Sequence, residues 1–233
     1  MAHSVPRRTA SAALLDTPET PKTPSGADPE KRKRILDAAI RTFGRRGFHE
    51  ARIAEIAAAA GVAEGTVYLY FKNKEDVLGV VFDESMDGVL SQARGIRQGD
   101  DNAAERLTRL VDLHLAFVGS DRDLASVFQI ELRRSARLVE RFSRSKLVEY
   151  FRLLEGLLKE GIDEGEFRAD LDPRLAVRIL FGAADEILSE WLLSGTEFPA
   201  ADGKRLVGTL LRGFANVEDA PKKEATKRTR RTK

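Results

Sequence analysis

Apolar residues recur at spacings of three and four along almost all of residues 28–217, and no stretch alternates apolar and polar positions over the length of a strand. Spacings of three and four place side chains on one face of an α-helix. The pattern therefore predicts an all-α fold with about nine helices. The predicted helices cover residues 29–44 or 29–47, 51–60, 64–70, a segment that begins at Asn73, one that ends at Gly119, one that follows Asp121, one that ends at Gly161, one that follows Asp172, and residues 202–217.

The expected helix boundaries carry residues that suit helix ends. Asp28 and Asp172 each precede a proline, and an aspartate cap followed by proline at the first helical position favours a helix start. Asn73 can cap the fourth helix in the same way. Gly61 suits the end of the second helix, because glycine adopts the positive φ that many helix ends require.

The two ends of the chain differ from this helical region. Residues 1–27 are rich in proline, serine and threonine, and residues 218–233 read EDAPKKEATKRTRRTK. Such segments cannot bury enough apolar surface to fold, so we expect both to be disordered tails. The basic C-terminal tail favours solubility and non-specific attraction to phosphate groups.

Composition argues against several classes of function. The 233 residues include no cysteine and only three scattered histidines, so we expect neither a metal site nor a cofactor. The sequence contains no G-x-S-x-G, H-E-x-x-H, Walker or dinucleotide-binding motif, so an enzyme is not expected. No apolar run approaches the roughly 20 residues of a membrane helix. Since the N-terminus also lacks a signal-peptide core, we expect a cytoplasmic protein that does not bind membranes.

The net charge of +2 is distributed unevenly. Residues 28–78 carry a net charge of +2 and residues 79–217 carry −5, whereas residues 218–233 carry +4. A positive N-terminal region attached to an acidic body favours one surface for an anionic polymer and another for a different partner.

Residues 51–74 have the pattern of a helix-turn-helix. Two short helices are joined by a turn at residues 61–63, GVA, an arrangement that places the second helix in a DNA major groove. The small residues Gly65 and Thr66 let the backbone approach the groove, and Phe71 is expected to face inward as a core anchor. Tyrosine hydroxyls and lysine ammonium groups can contact phosphate oxygens. The candidate phosphate contacts are Tyr68, Tyr70, Lys72 and Lys74.

Residues 35–78 resemble the DNA-binding domain of the TetR family of bacterial repressors. The resemblance is carried by GVAEGTVYLYFKNKEDVL, residues 61–78, which follows the family pattern G-V-x-x-G-T-x-Y-x-Y-F-x-x-K-E-x-L. It implies DNA contacts by the α-helix that follows the turn. The positions that match DNA-contacting residues of the family are Thr66, Tyr68, Tyr70 and Lys74, and those that match base-reading residues are Glu64 and Gly65.

The helix before the turn departs from the family at its start. Ala51 and Arg52 stand where threonines commonly cap the helix and contact phosphate. The charge of Arg52 can replace the phosphate contact but not the cap. Ala54 replaces a common arginine, so no base contact is expected there. The carboxylate of Glu64 can accept a hydrogen bond from cytosine but repels phosphate.

The resemblance also implies a C-terminal domain that binds a ligand and dimerises. The chain then divides into a tail at residues 1–27, a helix-turn-helix domain at 28–78, a ligand-binding and dimerisation domain at 79–217, and a tail at 218–233. The last two predicted helices are apolar on more than one face, so they require cover from their own core and from a partner. We expect a homodimer through these two helices, whose two recognition helices bind a palindromic operator.

Residues 178–193, RILFGAADEILSEWLL, together with the DNA-binding segment, are similar to the branch of the family that represses fatty-acid degradation and binds long-chain acyl-CoA. An acyl chain requires an apolar tunnel, and CoA phosphates favour arginines at its mouth. The candidate lining residues are Phe117, Phe128, Phe151 and Trp191, and the candidate arginines are Arg106, Arg109, Arg133 and Arg137. Alternatively, the arginines pair with acidic residues on a solvated face and the aromatic residues are ordinary core.

The favoured function is a ligand-responsive homodimeric repressor that long-chain acyl-CoA releases from its operator. The alternative is a repressor of the same kind that responds to a lipophilic drug or signalling molecule and controls an efflux or biosynthetic operon. An architectural DNA-binding protein acting by charge alone fits the basic tail but not the acidic body. A helical acyl-CoA enzyme fits the aromatic residues but lacks a catalytic motif.

Overall fold

The computed structural model describes residues 28–131, 144–198 and 200–214. Over these residues the chain forms nine α-helices, one π-helical turn and no extended strand, which confirms the predicted all-α fold. Both predicted tails and the candidates Arg133 and Arg137 lie outside the described residues. In chain order the elements are α1 (Pro29–Arg46), α2 (Ile53–Ala60), α3 (Glu64–Tyr70), α4 (Lys74–Arg97), α5 (Ala103–Gly119), α6 (Arg122–Ser126), the π turn (Val127–Glu131), α7 (Arg144–Asp163), α8 (Pro173–Ser194) and α9 (Ala200–Phe214).

Side-chain caps begin the helices at the predicted positions. The Asp28 carboxylate accepts hydrogen bonds from the backbone N–H groups of Glu30 at 3.0 Å and Lys31 at 3.4 Å, at the start of α1. Asn73 caps α4, and Asp172 caps α8, each by accepting from N–H groups of the first turn. These bonds satisfy backbone donors that no carbonyl of the helix can reach.

At one helix boundary the structure decides between two predicted positions, and at two others it differs from the prediction. Helix α1 passes through Gly44 and ends at Gly47, which has a φ of 82°. Helix α2 begins only at Ile53, because Arg52 has an extended backbone; the Glu55 carboxylate accepts from the Arg52 N–H at 3.0 Å. Helix α9 begins at Ala200, two residues earlier than predicted.

The helices enclose two hydrophobic cores. We call α1–α3 and the part of α4 up to Val81 the head, and the remaining elements the body. Helix α4 serves both parts without a break, because Val81 lies in the core of the head and the next residue, Phe82, lies in the core of the body. The predicted division at residues 78 and 79 therefore falls inside one continuous helix.

The body contributes side chains to the core of the head. Leu124 of α6 and Val127 of the π turn are buried among the head residues Phe43, Phe48 and Ile56. The predicted division into residues 28–78 and 79–217 assigns these two residues to the second domain only, whereas their side chains complete the core of the head. Because the cores share side chains, the head cannot shift against the body without exposing apolar surface.

Helices α1 and α6 approach closely at Gly44. A Cβ atom at Gly44 would lie 2.5 Å from the Asp123 carbonyl oxygen and 2.6 Å from the Asp123 Cα. The Ser126 hydroxyl donates to the Gly44 carbonyl at 3.1 Å, and Arg45 pairs with Asp123 at 2.9 Å. Only glycine allows this approach of two backbones.

Helix α6 is also attached to the end of α8. The Arg122 guanidinium donates to the carbonyls of Trp191 and Leu192, both at 2.9 Å, and its carbon lies 5.1 Å from the centroid of the Trp191 ring. A cation that donates to the last carbonyls of a helix stabilises that helix end. Five residues of α6 thus connect the head with the C-terminal end of α8.

Candidate nucleic-acid interface and effector domain

The turn between α2 and α3 has helix-turn-helix geometry. Gly61 lies in the left-handed region, with φ 67° and ψ 40°, and its N–H bonds to the Ala58 carbonyl at 3.2 Å. The Val62 N–H bonds to the Ala57 carbonyl at 3.0 Å. These bonds satisfy the last carbonyls of α2 and turn the chain sharply. The prediction that glycine ends α2 is confirmed.

Helix α3 has one buried side and one exposed side. Val67 is completely buried and Phe71, immediately after the helix, is almost completely buried, as predicted for Phe71. Tyr68 and Leu69 are 52% and 66% exposed, and Glu64 and Gly65 at the start of α3 are exposed as well, whereas Thr66 is half-buried. The seven residues span about 10 Å, so the exposed side fits within the width of a major groove.

Leu69 is a candidate site residue that the sequence interpretation missed. An apolar residue in a helix usually belongs to the core, but Leu69 is 66% exposed, more than Tyr68, the other exposed large hydrophobic side chain of α3. Helix geometry contains the signal. Val67 and Phe71 are four positions apart and share the inward face. Leu69 lies midway between them, about 200° around the helix from Val67, so it must face outward.

Tyr70 is held by the beginning of α1. Its hydroxyl accepts a hydrogen bond from the Asp28 N–H at 3.1 Å and lies 3.3 Å from the Asp28 carbonyl. This contact connects residues that are 42 positions apart. It fixes the end of α3 against α1, so Tyr70 orients the exposed side of α3 in addition to its predicted role at phosphate.

Lys74 is similarly held within the head. Its Nζ donates to the carbonyls of His49 and Ala51, both at 3.0 Å, and lies 4.7 Å from the centroid of the Phe48 ring. A cation above an aromatic ring is attracted by the ring's electron-rich face. Lys74 therefore attaches the start of α4 to the loop before α2.

Arg52 and Lys72 are both exposed, and each lies next to a helix start. Arg52 precedes α2, and the Lys72 N–H donates to the Asp76 carboxylate at 2.8 Å in the first turn of α4. N–H groups at helix starts favour anions, and the two side chains add positive charge next to the starts of α2 and α4. Five of the eight candidate DNA-contacting residues thus lie in α3, Lys72 and Lys74 follow it directly, and Arg52 precedes α2.

The two candidate arginines that lie in the described part of the body, Arg106 and Arg109, have acidic partners. The Arg106 side chain is 12% exposed; its Nη1 donates to the Arg97 carbonyl at 3.0 Å and lies 3.2 Å from the Glu160 carboxylate. Arg97 pairs with the same carboxylate, and Arg109 pairs with Asp101. The alternative of paired arginines therefore describes Arg106 and Arg109.

The candidate aromatic residues form separate groups. Phe128 of the π turn lies 5.2 Å from Phe82 and 5.9 Å from Phe117, measured between ring centroids. Phe151 lies 4.9 Å from Phe181. These edge and tilted contacts are typical of packed aromatic side chains. Trp191 instead packs against Phe198 at 5.3 Å, below Arg122.

Polar groups lie beside the second aromatic group. Phe181 is 5.1 Å from the His114 ring, and His114 stacks on Tyr150 at 6.1 Å. The Tyr150 hydroxyl donates to the Leu110 carbonyl at 3.2 Å. Burial raises the pKa of the Tyr150 phenol above its ordinary value, so the group stays neutral and keeps this bond. The second aromatic group thus places two polar side chains, His114 and Tyr150, beside Phe151 and Phe181.

Within the described ranges, no helix has the length and apolar character needed to cross a membrane.

The chain matches two family models that meet where the cores divide. Residues 35–81 match "Bacterial regulatory proteins, tetR family", and residues 82–212 match "YsiA-like protein, C-terminal region". The boundary between the models is the step from Val81 to Phe82, where α4 passes from the head into the body.

Similar proteins include regulators of fatty-acid metabolism. The chain is 36% identical over 168 residues to the fatty acid metabolism regulator protein of Bacillus subtilis, which covers 72% of this chain and 87% of that protein. The structure of the fatty acid degradation regulator FadR from Bacillus halodurans is 37% identical, has a TM-score of 0.74, and covers 81% of this chain and 98% of that one. The structure of B. subtilis FadR in complex with stearoyl-CoA is 34% identical, with a TM-score of 0.72, and covers 78% of this chain and 98% of that one.

The family models cover most of the chain, and the relatives are transcriptional regulators whose structures match nearly over their full length. The helix-turn-helix geometry of α2 and α3 agrees with this assignment. The chain belongs to the TetR family of bacterial transcriptional regulators.

Proposed function

We propose that the protein is a homodimeric repressor of fatty-acid metabolism genes, that it binds a palindromic operator through α3, and that long-chain acyl-CoA releases it. The observation that carries the DNA-binding part is the exposed side of α3. Tyr68, Leu69 and Gly65 face outward from a short helix that is fixed from behind by Val67 and Phe71. Large exposed side chains on a firmly packed short helix suit the major groove.

The chemistry of this surface suits mixed contacts with DNA. The Tyr68 hydroxyl, Arg52 and Lys72 suit phosphate oxygens, which position a protein on the duplex. Leu69 suits the methyl group of thymine, and the Glu64 carboxylate can accept from the amino group of cytosine. Gly65 allows the backbone to approach the bases.

An exposed stripe on α8 suits a second copy of the chain. Leu175, Ile179 and Leu193 are exposed apolar residues, and at 100° per residue they lie within about 40° of one another around the helix. Gly182 lies on the same stripe, and a Cβ added there would meet no atom within 4 Å. A glycine inside such a stripe lets two helices cross closely.

The charges on this stripe favour an antiparallel pairing of α8 with α8 of the second copy. If the two helices cross at Gly182, each residue faces the one equally far on the other side of Gly182. Arg178 then faces Glu186 of the partner subunit, and the same pair forms twice in a two-fold symmetric dimer. Both side chains are exposed within one protomer. Helix α9 packs beside α8 and is proposed to complete the interface.

The acyl-CoA effector is supported by similarity and by the interior of the body. A relative that matches over most of its length was solved with stearoyl-CoA, and the body has aromatic groups around Phe128 and Phe151. Because Arg106 and Arg109 have carboxylate partners, CoA phosphates must compete with Glu160 and Asp101 for them. Arg133, Arg137 and Trp191 remain part of the proposed site.

The test of this function is the fluorescence anisotropy of a labelled duplex taken from the DNA upstream of the gene. We expect stearoyl-CoA to raise the Kd for this duplex about 100-fold, a coupling of about 2.7 kcal/mol, whereas CoA alone and stearic acid leave it unchanged. Specific binding of the upstream duplex with a Kd that stearoyl-CoA does not change would favour the alternative effector, a lipophilic drug or signalling molecule. Equal affinity for a scrambled duplex would contradict operator binding itself.

Replacing Lys74 by methionine is expected to weaken DNA binding and to lower the slope of log affinity against log salt by about one. Methionine keeps the apolar stem above Phe48 but removes the charge and both bonds to carbonyls. A lysine has three donors, so Lys74 retains one for a phosphate oxygen. The exposed Lys159 of α7 provides the control K159M, for which no change is expected. If K74M binds DNA more weakly but the slope of log affinity against log salt is unchanged, Lys74 does not contact phosphate and only stabilises the loop before α2.

A further inference from the structure

The π turn, Val127–Glu131, contacts both cores within five residues. Val127 is buried in the core of the head, whereas Phe128 packs against the aromatic residues of the body. Gln129 and Glu131 are 9% and 5% exposed, and they are the two buried side chains with an amide or a carboxylate group among the described residues. A short segment with both apolar and buried polar contacts on two domains is a suitable place for coupling between them.

Glu131 forms the polar contact between this turn and the head. Its Oε2 accepts a hydrogen bond from the Phe48 N–H at 2.8 Å, across 83 positions of sequence. Its Oε1 lies beside Gly47, the residue that ends α1, at 3.4 Å from the position of an added Cβ. A hydrogen bond from an N–H to a carboxylate is stronger than one between neutral groups. Glu131 thus fixes the backbone at the end of α1.

The loop that Glu131 holds leads directly to the DNA-contacting elements. Phe48 packs against Phe43 of α1 at 5.4 Å, and its ring lies below the Lys74 ammonium group. Lys74 in turn holds the carbonyls of His49 and Ala51, immediately before Arg52 and α2. A displacement of the Phe48 backbone therefore reaches both α2 and the start of α4, which flank α3.

The π turn has two features that favour a second arrangement. A π-helical turn holds one more residue than an α-helical turn, and such turns are frequent at functional sites. The Gln129 Oε1 is buried and has no hydrogen-bond partner in the described part of the chain, an arrangement that folded proteins avoid. Conversion of the turn to α-helical register would rotate the following residues by about 100°. Glu131 would then leave the Phe48 N–H.

We propose that Glu131 is a positioning residue for the DNA-binding head: through the register of the π turn, its bond to Phe48 transmits the state of the body interior to the loop before α2. The identity of the effector rests on the proposed function, but the connection itself rests on the contacts of Glu131. Phe128, three residues before Glu131, is the side chain on which an apolar ligand acts. The two residues lie on one turn, so a change in the backbone register of the turn at Phe128 also moves Glu131.

The experiment compares E131A and E131Q with E149A and E149Q in the full chain. Glu149 is a surface carboxylate of the body that pairs with Arg94, so these variants remove the same charge elsewhere. For each protein, the operator Kd is measured with and without saturating stearoyl-CoA, and the Kd of stearoyl-CoA is measured without DNA. We expect E131A to reduce the stearoyl-CoA effect on operator Kd at least tenfold, with stearoyl-CoA affinity changed less than twofold. E131Q should retain most of the effect, because an amide oxygen can still accept from Phe48, and both Glu149 variants should match the wild type.

A stearoyl-CoA effect in E131A equal to that of the wild type would overturn the proposal. If the wild-type protein binds its operator but ignores stearoyl-CoA, the proposed effector is wrong, and Glu131 is then judged by a readout that needs no effector. Hydrogen exchange of the peptide that contains Phe48 should be at least tenfold faster in E131A than in E149A, and operator affinity should fall with it. Unchanged exchange and unchanged operator affinity would remove Glu131 from the positioning of the head.

Discussion

Replacing Gly44 by alanine is expected to destabilise the protein by about 1–3 kcal/mol, the usual cost of forcing extra atoms into a packed site. In most helices the same change is stabilising, by up to about 1 kcal/mol. The sign is reversed here because the new methyl group would lie 2.5 Å from the backbone oxygen of Asp123. Neither α1 nor α6 can yield by a side-chain rotation, so the two helices must separate.

The control for this prediction is Gly88 of α4, where a Cβ would meet nothing within 4 Å. G88A is expected to be as stable as the wild type or more stable. Thermal and chemical denaturation measure both variants; for a chain of this size 1 kcal/mol corresponds to about 2–4 °C in Tm. A G44A protein as stable as G88A would show that α1 and α6 are not in close contact in solution.

Replacing Ile179 by aspartate is expected to convert the dimer to monomers and to weaken operator binding at least 100-fold. In a two-fold interface the change places two carboxylates in apolar surroundings at once. A monomer contacts one half-site, so the second recognition helix no longer contributes. Sedimentation measures the oligomeric state, and anisotropy measures operator affinity.

V148D is the matched control, because Val148 is a partly exposed apolar residue of α7 and not of α8. It should remain dimeric. The orientation of the two α8 helices is tested by R178E and E186R, each of which should weaken the dimer. The double variant R178E/E186R should recover it, since the opposite charges face each other again. An I179D protein that sediments as a dimer would place the interface on another surface.

The head shows which features local sequence determines. The predicted helix ends at Asp28, Gly61 and Asn73 are confirmed, because a cap or a turn depends on residues within three or four positions. The prediction that Phe71 faces inward is confirmed, since Phe71 is 2% exposed and its N–H bonds to the Val67 carbonyl at 3.0 Å. The extended backbone at Arg52 delays α2 by two residues relative to the prediction, since no threonine caps an earlier start.

The features that sequence reasoning missed depend on distant residues. Lys74 and Tyr70 suit phosphate by residue type, and their contacts with backbone carbonyls and N–H groups 23–42 positions away have no local signature. Leu124 and Val127 fall within the predicted ligand-binding domain at residues 79–217, yet they pack in the core of the head. The pairing of Arg106 with Glu160 joins positions 54 apart. Contacts of this kind follow from the packing of helices, which spacing along one helix does not specify.

The contact of Arg122 with Trp191 makes the intrinsic fluorescence of the protein sensitive to the position of α6. Trp191 is the single tryptophan of the chain, and its ring lies below a guanidinium group at the corner where α6 meets the end of α8. Indole emission depends on nearby charge and on contact with water, so its wavelength and intensity report on the surroundings of Trp191. A motion of α6 that accompanies operator release can therefore be followed in real time in the unlabelled wild-type protein.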